Sequence, residues 1–457
     1  MSKQHMHGVW SSRWTFILAA TGSAVGLGNI WKFPYITGEN GGGAFVLIYL
    51  LCIAVIGIPI MVAEVLIGRR GRMSPINSMK FVTEEASLHR GWTAIGWSGV
   101  LAGLFIMAFY SVVAGWALHY VFTIASGTFS GATGEQAESF FGGLLGNNTA
   151  LLGWHTVFTI ITVGVVMAGV TKGLAMVARV LMPILFAMLL LLLIYGALQG
   201  EFEQALTFMF SFKVDQLTGK GVLIAMGHAF FTLSLGMGAI MAYGAYMPAH
   251  ANIGKTVVTV GLLDTFIALV AGMCIFPIVF SHGMAAGSGP GLLFQSLPVA
   301  FGNMPGGTFF GTIFFVLIVI AAWSSAVSLI EPGVAWLVET GKFNRVTATL
   351  LLGGSAWALG ISCGLSFNIL SDFKPAILLG KTPFDFLDFL TSQVMLPLGG
   401  LFIAVFVGWL MSKKVLASEM DAEGHPMLDI WLFVVRYISP VLVIIVFAWT
   451  LYHTFAG

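Results

Sequence analysis

Gly22-Ser23-Ala24-Val25-Gly26-Leu27-Gly28-Asn29 interrupts an apolar run that extends over residues 14–38. The run itself is long enough to cross a bilayer, which takes about 20 mostly apolar residues. Glycine disfavours helix by about 1 kcal/mol relative to alanine, so this cluster invites unwinding in mid-span. A second interruption, Thr232-Leu233-Ser234-Leu235-Gly236-Met237-Gly238, lies near the middle of the apolar run 222–247. Either one alone reads equally well as close helix packing through small residues. As a pair they say more, because they fall in the first and sixth of a series of apolar runs. Matched interruptions in two halves of a chain point to a transport site at the membrane midplane. The reason is electrostatic: a broken helix offers carbonyls to a cation at one cut end and N–H groups to a carboxylate at the other.

Working outward, eleven apolar runs can be counted, at 14–38, 43–68, 93–126, 151–170, 174–198, 222–247, 256–281, 307–338, 346–366, 383–411 and 429–454. The expected fold is an all-α membrane protein of eleven transmembrane helices, with residues 1–457 as one transmembrane domain. Two five-helix repeats of opposite orientation would occupy about 14–198 and about 222–411, with an extra helix at about 429–454. Composition agrees: 58% of the residues are hydrophobic and 9% charged, against about 25% charged in soluble domains. A net charge of +1 leaves no basic surface for nucleic acid. Arg69, Arg70, Arg72, Lys80 and Arg90 crowd the second connection, whereas the third (127–150) and seventh (282–306) hold no Lys or Arg. By the positive-inside rule the N-terminus is cytoplasmic and, with an odd count, the C-terminus extracellular, in a cell membrane. Met1–Arg13 carries too little charge, and no cleavage site, for a removed signal peptide.

Several polar residues break the apolar runs. Glu64 sits near the end of the second and needs hydrogen-bond donors, which unwound backbone can supply. Asp264 lies inside the run 256–281 and reads either as a carboxyl satisfied by hydroxyls or as a cation ligand and fixed counter-charge. Ser324, Ser325 and Ser328 alone are ordinary helix back-bonders. An enzyme is not expected: His119, His155 and His282 lack metal-ligand spacing, and His5 with His7 is short of ligands. The three cysteines, Cys52, Cys274 and Cys363, form no disulfide framework.

Gly22 to Pro34 (Gly-Ser-Ala-Val-Gly-Leu-Gly-Asn-Ile-Trp-Lys-Phe-Pro), followed by Glu39-Asn-Gly-Gly-Gly-Ala-Phe45, resembles the signature of the neurotransmitter:sodium symporter family. Phe230-Phe-Thr-Leu-Ser-Leu-Gly236 and the Ser324-Ser325 step before Glu331-Pro332 match the same family, in its bacterial, eleven-helix branch. The resemblance implies an inverted five-plus-five fold with helices one and six broken. It implies two sodium sites. One would use backbone carbonyls of Gly22, Val25 and Ala321 with the hydroxyls of Ser324 and Ser325. The other would use Ala24, Asn29, Thr232 and Asp264 together with the substrate carboxylate. All are oxygen ligands, as a hard cation requires. Amine carriers of the family have an acid where this chain has Gly26, so the implied cargo is a zwitterionic amino acid. Tyr110 would donate to its carboxylate, and backbone at Ala24, Phe231, Thr232 and Ser234 would hold its ammonium. An apolar pocket of Leu27, Ile106, Phe231, Met237, Ser325 and Leu329 would take hydrophobic side chains, aromatic ones included. Gly26, Gly28 and Gly236 complete the implied substrate-binding set.

The resemblance further implies an outer closure of Lys32 with Asp388 above Phe231, and an inner one of Trp10, Tyr246 and Glu339. His7 stands where the family has an inner-gate arginine. Gly173 and Pro183 match a helix-five motif whose unwinding opens a water path to the second sodium; the alternative is simple helix-end punctuation. Asp264 with Ala268 replaces the asparagine and serine of chloride-dependent members, near Tyr49, His228 and Ser234, so chloride is expected to be dispensable. The leading expectation is a sodium-coupled symporter of neutral hydrophobic amino acids. A carrier of another small zwitterion such as a betaine, and a non-transporting nutrient sensor, remain as alternatives.

Overall fold

The computed structural model describes residues 8–283 and 290–455, so His5 and His7 lie outside the described residues. Regular structure among them is helical, and the extended pairing is a single isolated antiparallel bridge between Gly42 and Phe212. Among the described residues nine helices are long and apolar enough to cross a membrane, including Gly43–Gly71, Arg90–Ala125, Ile253–Phe280 and Gly307–Glu339. The two interrupted runs are absent from that set because neither is one continuous helix.

The first begins under a Ser12 cap, whose hydroxyl accepts the Thr15 N–H, and runs as helix over Arg13–Ala24. Val25 is extended, and helix resumes through a wide turn at Gly28–Lys32 into Phe33–Glu39. The second runs over Gly219–Thr232 under a Thr218 cap, breaks, and resumes over Ala239–Tyr246. Between those halves Ser234, Gly236 and Gly238 all take positive φ, at 56°, 78° and 75°. Left-handed residues spaced two apart cannot belong to a right-handed helix. Gly236 has a second constraint, since a Cβ there would lie 2.4 Å from the Leu396 carbonyl oxygen.

The remaining helices brace these breaks. The N–H of Gly236 donates to Glu64 Oε1 at 2.6 Å, tying the second break to the Ile58–Gly71 helix. The Ala94–Ala125 and Gly307–Glu339 helices approach so closely that a Cβ on Gly103 would lie 2.6 Å from the Leu329 carbonyl oxygen. Away from this core, the Ala175–Gln199 helix exposes Met176, Val180, Ile184, Leu190, Leu191, Ile194 and Leu198. An apolar face of that extent belongs against lipid. The protein is a multi-pass membrane protein.

The connections are more ordered than their composition suggests. Pro75–Glu85, Gly134–Gly146, Phe202–Phe210, Leu297–Gly302 and Lys413–Met420 are all helical. Several carry their own caps, including a reciprocal Thr133–Gln136 capping box.

Candidate substrate and cation site

Three side chains from three separate elements meet beside the breaks. Asn29 Nδ2 donates to Thr232 Oγ1 at 3.0 Å and to Asp264 Oδ1 at 2.7 Å. The Thr232 hydroxyl donates to Asp264 Oδ2 at 2.9 Å. Asn29 Oδ1 in turn accepts the Gly26 N–H at 3.2 Å, which holds the unwound turn in place. Asn29, Thr232 and Asp264 are all buried. Among the described residues no Lys or Arg pairs with Asp264. A buried carboxylate held by the Asn29 amide and the Thr232 hydroxyl, without a basic partner, has oxygens to offer a hard cation.

A second oxygen cluster lies at the other side of the first break. Ser325 Oγ is 3.3 Å from the carbonyl oxygen of Gly22, 3.1 Å from that of Ser23 and 3.0 Å from that of Val25. These carbonyls are free of helix because the chain turns extended at Val25. Ser324 Oγ donates to the Ala321 carbonyl at 3.0 Å. All five residues of the implied second cation set therefore sit in adjacent contact. Met182, which precedes Pro183, packs against Gly22, and Gly173 lies in a wide turn at Val170–Leu174.

Between the two clusters is a small cavity of about 40 Å³. Its wall includes Ala24, Gly26, Leu27, Gly28, Ile106, Tyr110, Phe231, Thr232, Ser234, Met237, Ser325 and Leu329. Of the implied substrate-binding residues, Gly236 alone stands outside the wall, because its left-handed turn points its N–H at Glu64 instead. A Cβ at Gly26 would meet both Ser325 Oγ and Tyr110 Oη at 3.0 Å, so a larger side chain there would intrude on the cavity. Tyr110 Oη accepts the Leu27 N–H at 3.4 Å, which leaves its proton for another partner. Ser23 and Ser328 also line the cavity. Neither stands out as a site residue in the sequence, where Ser328 reads as a back-bonder and Ser23 as one small residue of the glycine cluster. Their signal is weak: two small hydroxyls among many.

The gate residues lie at two ends of the site. Lys32 and Asp388 border one cavity of about 420 Å³ but form no ion pair in this structure. The Lys32 ammonium lies over the Phe231 ring at 5.6 Å, and Asp388 accepts from the Ser392 hydroxyl at 3.0 Å. At the other end, the Trp10 N–H donates to the Tyr246 carbonyl at 3.0 Å and its indole stacks edge-on against Tyr243 and Tyr246. The Tyr246 hydroxyl donates to Glu331 at 2.7 Å, and Arg345 forks onto the same carboxylate. Glu339 accepts the N–H and hydroxyl of Ser74 and the amide of Asn77, capping the Pro75–Glu85 helix. The two acids are eight residues apart on one helix, roughly 12 Å along its axis. That rise, rather than residue type, decides which of them faces which partner. The signal for the missed pair is an acid inside one apolar run and an arginine at the start of the next.

The chain is similar to known proteins over nearly its whole length. The model of the sodium:neurotransmitter symporter family matches residues 7–135 and 146–456. An uncharacterized sodium-dependent transporter of Bacillus subtilis, YhdH, is 38% identical over 441 residues, 96% of each chain. An uncharacterized sodium-dependent transporter of Haemophilus influenzae is 32% identical, over 96% of this chain and 97% of its own. Among solved structures, MhsT in complex with L-phenylalanine superposes with a TM-score of 0.86 at 42% identity, covering 96% of this chain and 99% of that one. With its two broken helices, its oxygen clusters and its matched length, the chain belongs to the sodium:neurotransmitter symporter family.

Proposed function

We propose that the protein is a sodium-coupled symporter that imports neutral, mostly hydrophobic amino acids, aromatic ones included, by alternating access and without need of chloride. The observation that carries this reading is a pair of buried clusters beside one largely apolar cavity at the helix breaks. One holds the Asp264 carboxylate, unpaired by any base among the described residues, and the other the Ser325 hydroxyl among helix-end carbonyls. In this reading the first sodium is held by Ala24, Asn29, Thr232 and Asp264 with the substrate carboxylate. The second is held by Gly22, Val25, Ala321, Ser324 and Ser325. The shared carboxylate couples them, because each occupant lacks part of its cage without the other. Tyr110 donates its free proton to that carboxylate, and carbonyls of the broken helices accept from the ammonium. With glycine at position 26, the substrate supplies the negative group itself. The relative bound to L-phenylalanine supports an amino-acid cargo with an aromatic side chain.

The same reading assigns eleven crossings: two inverted five-helix repeats at about 14–198 and 222–411, and an added helix at about 429–454. The N-terminus is then cytoplasmic and the C-terminus extracellular. Asp264 supplies the negative charge that chloride supplies in other members, which is supported by its lack of a basic partner among the described residues. Lys32 and Asp388 close the outer side, and Trp10, Tyr246 and Glu339 the inner, with Glu331 bonded to the Tyr246 hydroxyl beside them.

Counterflow of labelled leucine, phenylalanine and tryptophan into proteoliposomes tests the proposal. Exchange should require sodium and be equal in chloride and gluconate. Equal exchange in potassium-only buffer would remove the symporter reading. A collapse in gluconate would remove Asp264 as the counter-charge. The Asp264→Asn, Ala268→Ser double variant should slow sharply and recover only with chloride.

A further inference from the structure

Far from the cavity, the last two spans meet where neither helix can satisfy its own backbone. The Ala376–Leu410 span ends in a wide turn at Phe406–Leu410, and carbonyls in a last turn, Gly408 among them, lack donors from their own helix. In the Pro426–Thr454 span, Pro440 has no N–H to give the Arg436 carbonyl four residues earlier. Each helix mends the other. Arg436 Nε donates to the Gly408 carbonyl, and Trp409 Nε1 donates to the Arg436 carbonyl at 3.2 Å. The Arg436 stem packs so closely on Gly408 that a Cβ there would lie 3.0 Å from its Cγ. These contacts fix the guanidinium while using only its Nε–H, and both Nη groups remain to donate. Neither Nη nitrogen has a partner among the described residues, and no Asp or Glu pairs with Arg436 there. Asp429, on the same helix, lies about 10 Å further along the axis and pairs with Lys413.

An unpaired guanidinium is unfavourable in hydrocarbon, and this one sits at the bilayer's edge. Gly408 is close to the end of its span, and the connecting helix Lys413–Met420 that follows exposes Lys413 and Lys414. Side chains lean toward the start of their own helix, which for Arg436 is that same edge. Beside it Trp409, Phe433 and Tyr437 are exposed, and the Tyr437 ring meets the other two at 5.3 and 5.4 Å. Exposed aromatic rings at the end of a span lie at the level of lipid headgroups. We infer that Arg436 binds the phosphate of an anionic phospholipid, its free Nη edge forking onto two phosphate oxygens. A lipid fits better than dissolved phosphate, because the exposed rings offer an apolar surface to acyl chains. A net negative headgroup fits better than a zwitterionic one, because Lys414 adds a second positive charge with no acidic partner among the described residues. In the orientation proposed above, the leaflet is the cytoplasmic one.

The test follows the first lipid bound by the delipidated full-length protein, using native mass spectrometry. The probes are phosphatidylglycerol and phosphatidylcholine with the same acyl chains. The wild type should bind phosphatidylglycerol about tenfold more tightly. In Arg436→Gln the ratio should fall to within about twofold, whereas Arg90→Gln, at an exposed position in another connection, should keep it. If Arg436 served only to pair the two helices, its loss would lower stability without moving a ratio between two headgroups taken within one variant. Equal binding of the two lipids by the wild type, which requires no variant to fold, would overturn the inference. So would a tenfold ratio that persists in Arg436→Gln, or one that falls as far in Arg90→Gln, because other cations would then carry the preference. Excess inorganic phosphate should leave the ratio unchanged, and its loss would mean that the site takes the dissolved ion instead of a lipid. The readout needs no transport, so failure of the proposed amino-acid cargo would leave this inference standing.

Discussion

The two helix breaks solve the same problem by different means. The first, around Val25, keeps negative φ throughout and is held by side chains: Asn29 takes the Gly26 N–H, and Ser325 reaches three of its carbonyls. The second is held by backbone conformation, with three left-handed residues and the Glu64 brace on Gly236. A break secured by side-chain hydroxyls can exchange those contacts for an ion at little expense, because carbonyl oxygens accept either. A break secured by left-handed backbone has no such alternative. In the proposed reading, ligands would exchange contacts more readily at the first break, while the left-handed turn of the second is a frame that holds its own residues in fixed positions.

The largest expected effect follows from crowding the first break. Gly26→Asp places a carboxylate where a Cβ already meets Ser325 Oγ and Tyr110 Oη at 3.0 Å, beside the place proposed for the substrate carboxylate. Two like charges about 4 Å apart in a partly dry site repel by several kcal/mol, so sodium-dependent leucine binding should be lost by more than about a hundredfold. Retained leucine binding would break the assignment of the carboxylate to this turn.

Gly236→Ala probes the frame. Positive φ and a Cβ 2.4 Å from the Leu396 carbonyl oxygen both oppose alanine. Stability should fall by about 3 kcal/mol or more, read as a lower unfolding midpoint in detergent. An unchanged midpoint would mean that the second break is as adaptable as the first, and the contrast would disappear.

Ser325→Ala sharpens the comparison from the other side. It removes the hydroxyl that reads the Gly22, Ser23 and Val25 carbonyls. The sodium concentration for half-maximal uptake should rise about tenfold, with a smaller change in the unfolding midpoint than for Gly236→Ala. The reverse order would count against the division of labour.

Glu64→Gln should have the smallest effect. Glutamine keeps a carbonyl oxygen for the Gly236 N–H but loses the charge assistance, so about 1 kcal/mol of stability should be lost. Thermal unfolding of the purified variant checks this, and a loss as large as that of Gly236→Ala would make the carboxylate, rather than the glycine backbone, the source of the frame.

Much of this architecture is legible in the order of the residues. A run of about 20 apolar residues has few fates other than a membrane helix, and glycine clusters within such runs mark where helix fails. The short helices of the connections are not legible, since Phe202–Phe210 and Lys413–Met420 are too brief for periodicity to separate them from loop. Asn29, Thr232 and Asp264 are recognised together through family resemblance rather than through spacing. Residues 203 and 235 positions apart leave no local pattern for a single chain to reveal.

Composition and local propensity, which act over one or a few helical turns, settle the bilayer as solvent and the long apolar helices. They also settle the two interruptions and the all-oxygen character of the residues around them. Helix packing alone decides which oxygens share a site, that Tyr246 turns to Glu331 while Glu339 caps a neighbouring helix, and that Lys32 rests on Phe231 apart from Asp388. The physical reason is that hydrogen bonds form over about 3 Å between side chains whose relation is set by helix rotation and rise. A residue's type says what bonds it can make, and only the packed helices bring a particular partner within that distance.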